Sequence, residues 1–182
     1  RLRLFEIGSV YLPVNGQILP AEPRRLALLL AGRRDVASWD LPAREGLQDF
    51  FDLKGVIETL LDGLHIRRVA FTPVTHSTFF PGRTAGLTVN GCPAGVLGEA
   101  HPKVLRAFDL PEGLPVMLAE LNLDIILDHA DGLHVVRTVP TQPAVYQDLA
   151  LVVNRETPAA EVETVIRAAG GDLLEDVRLF DV

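Results

Sequence analysis

One stretch constrains this chain more than any other. From Arg44 to Leu64, the residues Leu47, Phe50, Phe51, Leu53, Val56, Ile57, Leu60, Leu61 and Leu64 recur at the i, i+3, i+4 spacing of a single helical stripe. A stripe that long must be covered, so the rest of the chain has to supply a sheet or other helices. The spacing predicts a helix over 44–64, with Phe50, Phe51, Ile57, Leu60 and Leu61 facing the core and Gly63 ending it. Gly55, inside the stripe, costs about 1 kcal/mol relative to alanine and reads as the place where a neighbouring strand comes close. Strand patterns surround this helix. "RLRLFEIGSVYLP" alternates, with a bulge expected at Gly8, and "RRLALLLAG" is a continuous apolar run, the pattern of a central strand buried on both faces. After the polar connection "RRDVASWDLPAREG" and the helix come the strands "IRRVAFTPV" and "LHVVRTV". Between them, "PVMLAELNLDIILDHADG" reads as strand, then helix, stopped at Gly132. Strands with interspersed helices and hairpin connections give an α+β fold with a largely antiparallel sheet.

"GLTVNGCPAGVLGEAHP", residues 86–102, raises a separate question. Gly86 and Gly91 have the spacing of the glycines in a phosphate-binding loop, but such a loop needs Lys and Ser/Thr next. Cys92 and Pro93 stand there instead, and proline lacks the N–H that a phosphate cradle would use. Asn90-Gly91 accepts the positive φ angles of a two-residue hairpin turn, between Leu87-Thr88-Val89 and Val96-Leu97. His101-Pro102 then opens a short helix carrying Val104, Leu105 and Phe108.

Chemistry is hard to find by spacing. The net charge of −7 argues against a general nucleic-acid binder, and no apolar run approaches the roughly 20 residues of a membrane span. The single cysteine allows no internal disulfide, and no secretory pattern is visible, so a reducing cytoplasm is expected. Both ends of the chain read as cut from something longer. No HExxH or GxSxG occurs; His129 and His134 lack metal-helix spacing, and Ser9, Ser38 and Ser77 have no nucleophile context. The residues identify no catalytic group and no metal site. At Pro140–Pro143 the composition shifts, and beyond it lie "AVYQDLALVV", "PAAEVETVIRAAGG" and "EDVRLFDV", a βαβ pattern. Its helix is expected to open with Thr157 as cap and Pro158 as first residue, and to close at Gly170-Gly171.

Several ordered stretches resemble the C-terminal region of the bacterial phenylalanine–tRNA ligase β-subunit family. They are "LRLFEIGSVY", "DFFDLKGVIETLL", "FFPGRTAGL…G…GVLGEAHPKVL", "LAELNLD" and "TVPTQPAVYQDLALVV…LLEDVRLFDV". The resemblance implies a class II synthetase-like mixed or antiparallel sheet with helices over 1–137, a catalytic-like module that has lost its chemistry. Over 138–182 it implies the first half of a ferredoxin-fold anticodon-binding domain, a partial βαβ unit. It implies as partners an α subunit, a second β subunit and tRNA(Phe), with ATP and Mg²⁺ serving the parent complex and no cofactor in this segment. It implies no membrane. The family's Arg-Asp is replaced here by Gln147-Asp148, which removes a fixed positive charge.

The residues agree with lost chemistry. "RLRLFEIG" carries Glu6 where the class pattern pairs an arginine with a glutamate, and "LNLDIIL" has neither a glycine-rich run nor an arginine. Arg83 reads as an ion-pair or turn residue, and Glu99 and His101 as hydrogen-bonding groups at a helix end. For RNA the candidates are Arg178 and Phe180. Alternation puts Val177 and Leu179 toward the helix bearing Val162, Val165 and Ile166, leaving Arg178 and Phe180 on the open side, where a base could stack or pair. The other reading makes Phe180 core, and from Val139 on there are eight Asp/Glu against three Arg. Two further functions stay open: a stand-alone interaction module derived from a synthetase, and a domain with a degenerate nucleotide site around Gly86–Gly98. Exposed apolar faces are expected in both parts of the chain.

Overall fold

The computed structural model describes residues 1–35, 46–111, 113–133 and 141–180. The chain divides into two compact units, Arg1–Val136 and Arg137–Val182. The first is an antiparallel sheet with helices. Its elements are β1 (Leu2–Ser9), β2 (Arg24–Ala31), α1 (Phe50–Gly63), β3 (Val69–Pro73), β4 (Phe79–Val89), β5 (Cys92–Ala100), α2 (Pro102–Ala107), β6 (Val116–Asn122) and α3 (Leu123–Asp128). The six strands lie in the order β1-β2-β6-β5-β4-β3, every pair antiparallel. The expected α+β class with an antiparallel sheet is what forms.

The core lies between α1 and one sheet face. Leu53, Ile57 and Leu61, on an i, i+4 row, are buried against Leu26, Leu30, Leu87, Leu97 and Leu121. Phe50 and Leu60 pack at the margin, but Phe51 is 75% exposed. At 100° per residue it stands about 200° around from Leu53, off the stripe. Gly55 points the same way. A Cβ there would meet nothing within 4 Å, so the close approach expected at this glycine is absent.

The helix also starts later than its apolar spacing predicts; Arg44 and Glu45 lie outside the described residues. Residues 46–48 are engaged otherwise: Arg33 bridges Leu47, the Gln48 N–H donates to Gly32 and the Arg34 N–H to Gly46. Asp49 is the cap. Its carboxylate accepts from the N–H groups of Phe51 and Asp52, while the Asp52 carboxylate accepts from the Asp49 N–H. At the other end Gly63 is still helical, and the reversal falls on His65 at φ 59°. The Ile66 N–H reaches the Leu61 carbonyl and the His65 N–H that of Asp62, the paired closing bonds of a left-handed helix end, with Ile66 and Leu61 both in the core.

β2 is flanked by β1 and β6, as a central strand should be, but only in part buried. Leu26 and Leu30 enter the main core, while Ala31 joins a second cluster on the opposite face with Ala100 and Val116. Pairing between β1 and β2 runs unbroken through Gly8↔Arg25, so Gly8 makes no bulge. The β4–β5 turn is the two-residue hairpin expected, with Asn90 at φ 49° and Gly91 at φ 83°. α3 ends at Asp128 with His129 as cap, four residues before the expected stop at Gly132. The strand expected at "LHVVRTV" and the tryptophan-bearing connection fall mainly outside the described residues.

The second unit holds α4 (Ala159–Gly170) and one 3₁₀ turn (Gly171–Leu173). Pro158 occupies the cap position without a side-chain hydrogen bond, one residue later than expected, and Gly171 closes the helix at φ 55°. The two flanking segments form no strand among the described residues. In a split βαβ arrangement the two strands are separated by the width of another, so neither can pair with its mate.

Candidate functional site

The register of unit 1 builds two different sheet faces from the same strands. Away from α1, α2 brings Leu105 onto Ala31, Ala100 and Val116, covering one end. The middle is open. Glu6, Ala27 and Glu120 stand opposite one another across β1, β2 and β6, all three exposed, with Val96 and Gly86 continuing the row. One step along, Leu4, Leu29 and Leu118 form a parallel aliphatic row ending at Gly98. Arg25 shares the face and lies 3.5 Å from the Glu120 carboxylate, but its buried Nε makes no hydrogen bond. A phosphate-activating surface needs free guanidinium groups; this one offers two carboxylates and one arginine already committed to one of them.

The glycine-rich stretch is backbone work. Gly86 sits within β4 and Gly91 in the turn, so the pair forms no phosphate loop. Gly98 is there for space, because a Cβ would lie 2.4 Å from the Arg83 carbonyl. Arg83 donates to Glu99 at 2.5 Å and lies over the Phe80 ring at 4.7 Å from its centroid. Phe80 in turn stacks on His101. His101 is a cap, its Nδ1 accepting from the Lys103 N–H at 3.0 Å. Glu99 does not share that role. It pairs with Arg83, because its strand position opposite the β4 irregularity brings it to the guanidinium rather than to the helix end.

Among the described residues no group of three or more His, Cys, Asp or Glu could hold a metal ion. His129 closes α3 with its Nε2 buried and unbonded, and His134 lies outside the described residues. Ionisable groups with shifted behaviour serve the scaffold. Burial pushes the Asp52 carboxyl up, but the Asp49 N–H and the Arg34 guanidinium outweigh it and hold it below the ordinary range. Arg34 is correspondingly raised, chiefly by its hydrogen bond to Asp52. Asp124 is lowered by the backbone N–H of Arg24, then by its side chain at 2.7 Å. Gln48, fully buried, accepts from Arg3 and donates to the carbonyls of Leu2 and Ala31, tying β1 to β2. Apolar spacing hides all of these. The signal that could have found the first is Asp49 three residues before Asp52, ahead of an apolar run.

In unit 2, Arg178 and Phe180 are both exposed, Phe180 at 72%. Val177, Val162 and Ile166 are half-buried, whereas Val165 and Leu179 remain exposed. Arg167 pairs with Glu163 one turn away on α4 at 2.8 Å and reaches Asp176 and the Val177 carbonyl at 3.4 Å. Tyr146 and Val152 are almost wholly exposed, as are Phe5, Ile18 and Leu19 in unit 1. The expected apolar exposure is present in both units.

Comparison with known proteins gives these surfaces a context. Residues 1–123 match the family described as the phenylalanyl-tRNA synthetase beta chain CLM domain, and residues 140–182 the ferredoxin-fold anticodon binding domain. Among curated relatives, the phenylalanine–tRNA ligase beta subunit of Symbiobacterium thermophilum is 45% identical over 181 residues, which are 100% of this chain and 20% of that protein. The proteins of the same name from Clostridium tetani and Moorella thermoacetica are 39% and 40% identical, over 99% and 98% of this chain and 21% and 22% of their own length. The chain thus spans about a fifth of the length of the curated relatives it matches.

Proposed function

The chain belongs to the phenylalanine–tRNA ligase β-subunit family, and on that premise we propose that it is a non-catalytic scaffold, subunit-interface and tRNA-positioning segment. The complex it serves joins L-phenylalanine to tRNA(Phe) with ATP and Mg²⁺ in the cytoplasm, alongside an α subunit and a second β subunit. Residues 1–137 act as an inactive class II synthetase-like module, and 138–182 as the first half of the anticodon-binding domain.

The observation that carries the reading is the charge of the open sheet face. Activating an amino acid with ATP needs positive groups on the phosphates, and Glu6 and Glu120 would repel them. The same two carboxylates count against a degenerate nucleotide site in this segment. Calorimetry with Mg²⁺–ATP should therefore show no binding to the chain. A saturable heat of binding would overturn the assignment.

Within the second unit we assign RNA contact to Arg178 and Phe180, whose exposure leaves a guanidinium and a ring available to an unstacked base. In the full-length protein, Arg178→Ala and Phe180→Ala should each weaken tRNA affinity at fixed salt, Phe180→Ala by about 1–3 kcal/mol if it stacks a base. Should affinity hold while the melting temperature falls, both residues are core and the contact lies elsewhere.

A further inference from the structure

An exposed alanine in an inner strand is a floor without a cover. Ala27 is that residue: β2 has neighbours on both sides, yet among the described residues nothing lies over Ala27 on the face turned away from α1, and it is exposed. Glu6 and Glu120 flank it one strand away on each side, which sets the two carboxylate columns about 10 Å apart. Arg25 compensates only Glu120, and Glu6 has no ion pair among the described residues. Beside this slot runs the aliphatic row of Leu4, Leu29 and Leu118, in which Leu4 is exposed while Leu29 and Leu118 are half-buried against the Ala31, Ala100 and Val116 cluster. The face then continues to β1, an eight-residue edge strand without proline, whereas the opposite edge, β3, has five residues and ends at Pro73. Short strands and prolines are how sheets keep edges from pairing; β1 has neither protection.

An aliphatic row beside a net negative row suits neither nucleic acid nor a phosphorylated ligand. It suits polypeptide. We infer that this open face is a docking surface for a polypeptide segment that lays aliphatic side chains along Leu4, Leu29 and Leu118 and sets a lysine or arginine over Ala27 between Glu6 and Glu120. The apolar row supplies the contact area, and the charge fixes register and orientation. The inference rests on the subunit-interface reading above and names the chemistry of the partner surface.

The test places a photo-crosslinking residue at position 27 of the full-length polypeptide, expressed in the cells that make it. Mass spectrometry should map the cross-link to a segment with Lys or Arg within about two residues of aliphatic side chains, the reach of one strand face. Glu6→Lys together with Glu120→Lys should lower the cross-link yield about tenfold through like-charge repulsion. Because Glu120 also holds Arg25, Glu6→Lys alone is the second variant, and a smaller loss in the same direction is expected with an unchanged melting temperature. No cross-link, a cross-link to RNA, to the same face of a second copy or to a segment lacking a cation, or a yield that Glu6→Lys leaves unmoved, overturns the inference. If the segment fits but belongs to a protein outside the synthetase complex, the docking surface stands and the scaffold reading falls.

Discussion

The two units are written in similar sequence and end in different states. "RRLALLLA" in the first and "VYQDLALVV" in the second both have the apolar content of strands. In unit 1, β2 has β1 and β6 to pair with and α1 to pack against, and Leu26 and Leu30 are buried. In unit 2 no described residue is buried, and Val152 is wholly exposed. Alternation therefore specifies which side chains are able to face a core. Ladder partners and a covering helix decide whether there is one.

The largest expected effect breaks or sustains that contrast directly. Leu61→Ala, in the sealed core of unit 1, should cost about 2–5 kcal/mol in urea unfolding. Ile166→Ala, on the half-buried side of α4, should cost less than about 1 kcal/mol. Equal costs would mean that unit 2 has a core of its own. Amide hydrogen exchange sharpens the same comparison, with β2, β5 and β6 protected and residues 143–153 exchanging freely.

A middle-sized effect separates the two helices. α1 is capped by Asp49, while Pro158 gives α4 no side-chain cap, so Asp49→Ala should cost about 1 kcal/mol and melt only the first unit. The cap is also linked to pH. Asp52 titrates below the ordinary carboxylate range when folded and near about 3.9 when unfolded. Its contribution is thus complete above the unfolded value and is lost as pH falls through the folded one. Acid titration of unit 1 stability should show that loss, and Asp52→Asn should flatten it. A slope unchanged by Asp52→Asn would remove this group from the account.

The smallest effects test where the α1 stripe really lies. Gly55→Ala, into open space on a helix, should stabilise unit 1 by about 1 kcal/mol. Phe51→Ala should stay within about 0.5 kcal/mol, as an exposed site does. A large loss from Phe51→Ala would show that another surface covers that ring.

What was legible in the sequence follows a physical division. The strand positions of unit 1 up to β6, the Asn90-Gly91 turn and the existence of α1 and α4 come from period and local backbone preference, which neighbours along the chain determine; the two strands expected around α4 do not form among the described residues. The start of α1 was not legible from apolar spacing, because Leu47 fits the stripe yet is held by Arg33, more than ten residues away in sequence. Phe51 misled for a related reason: an aromatic next to a stripe raises the expectation of burial, and only the covering sheet fixes the width of what it covers. The chemistry of the open face was half visible. Glu6 stood out as a missing arginine, but its alignment with Ala27 and Glu120 depends on the register of three strands. Alternation singles out Arg178 and Phe180, but Leu179 between them is exposed as well, because no ladder fixes which side of this segment is covered.

The strand order has one more consequence, and it concerns time. β2 ends at Ala31, but the strand that closes its inner edge, β6, begins only at Val116. A ribosome adds about 5–20 residues each second, so the β1–β2 ribbon emerges several seconds ahead of that partner. The β4–β5 hairpin, by contrast, closes on itself within about 1–10 μs of emerging. β6 then has to enter between two ribbons that already exist, β1–β2 on one side and β3–β4–β5 on the other. Of the six described strands, the one made last joins the sheet near its centre.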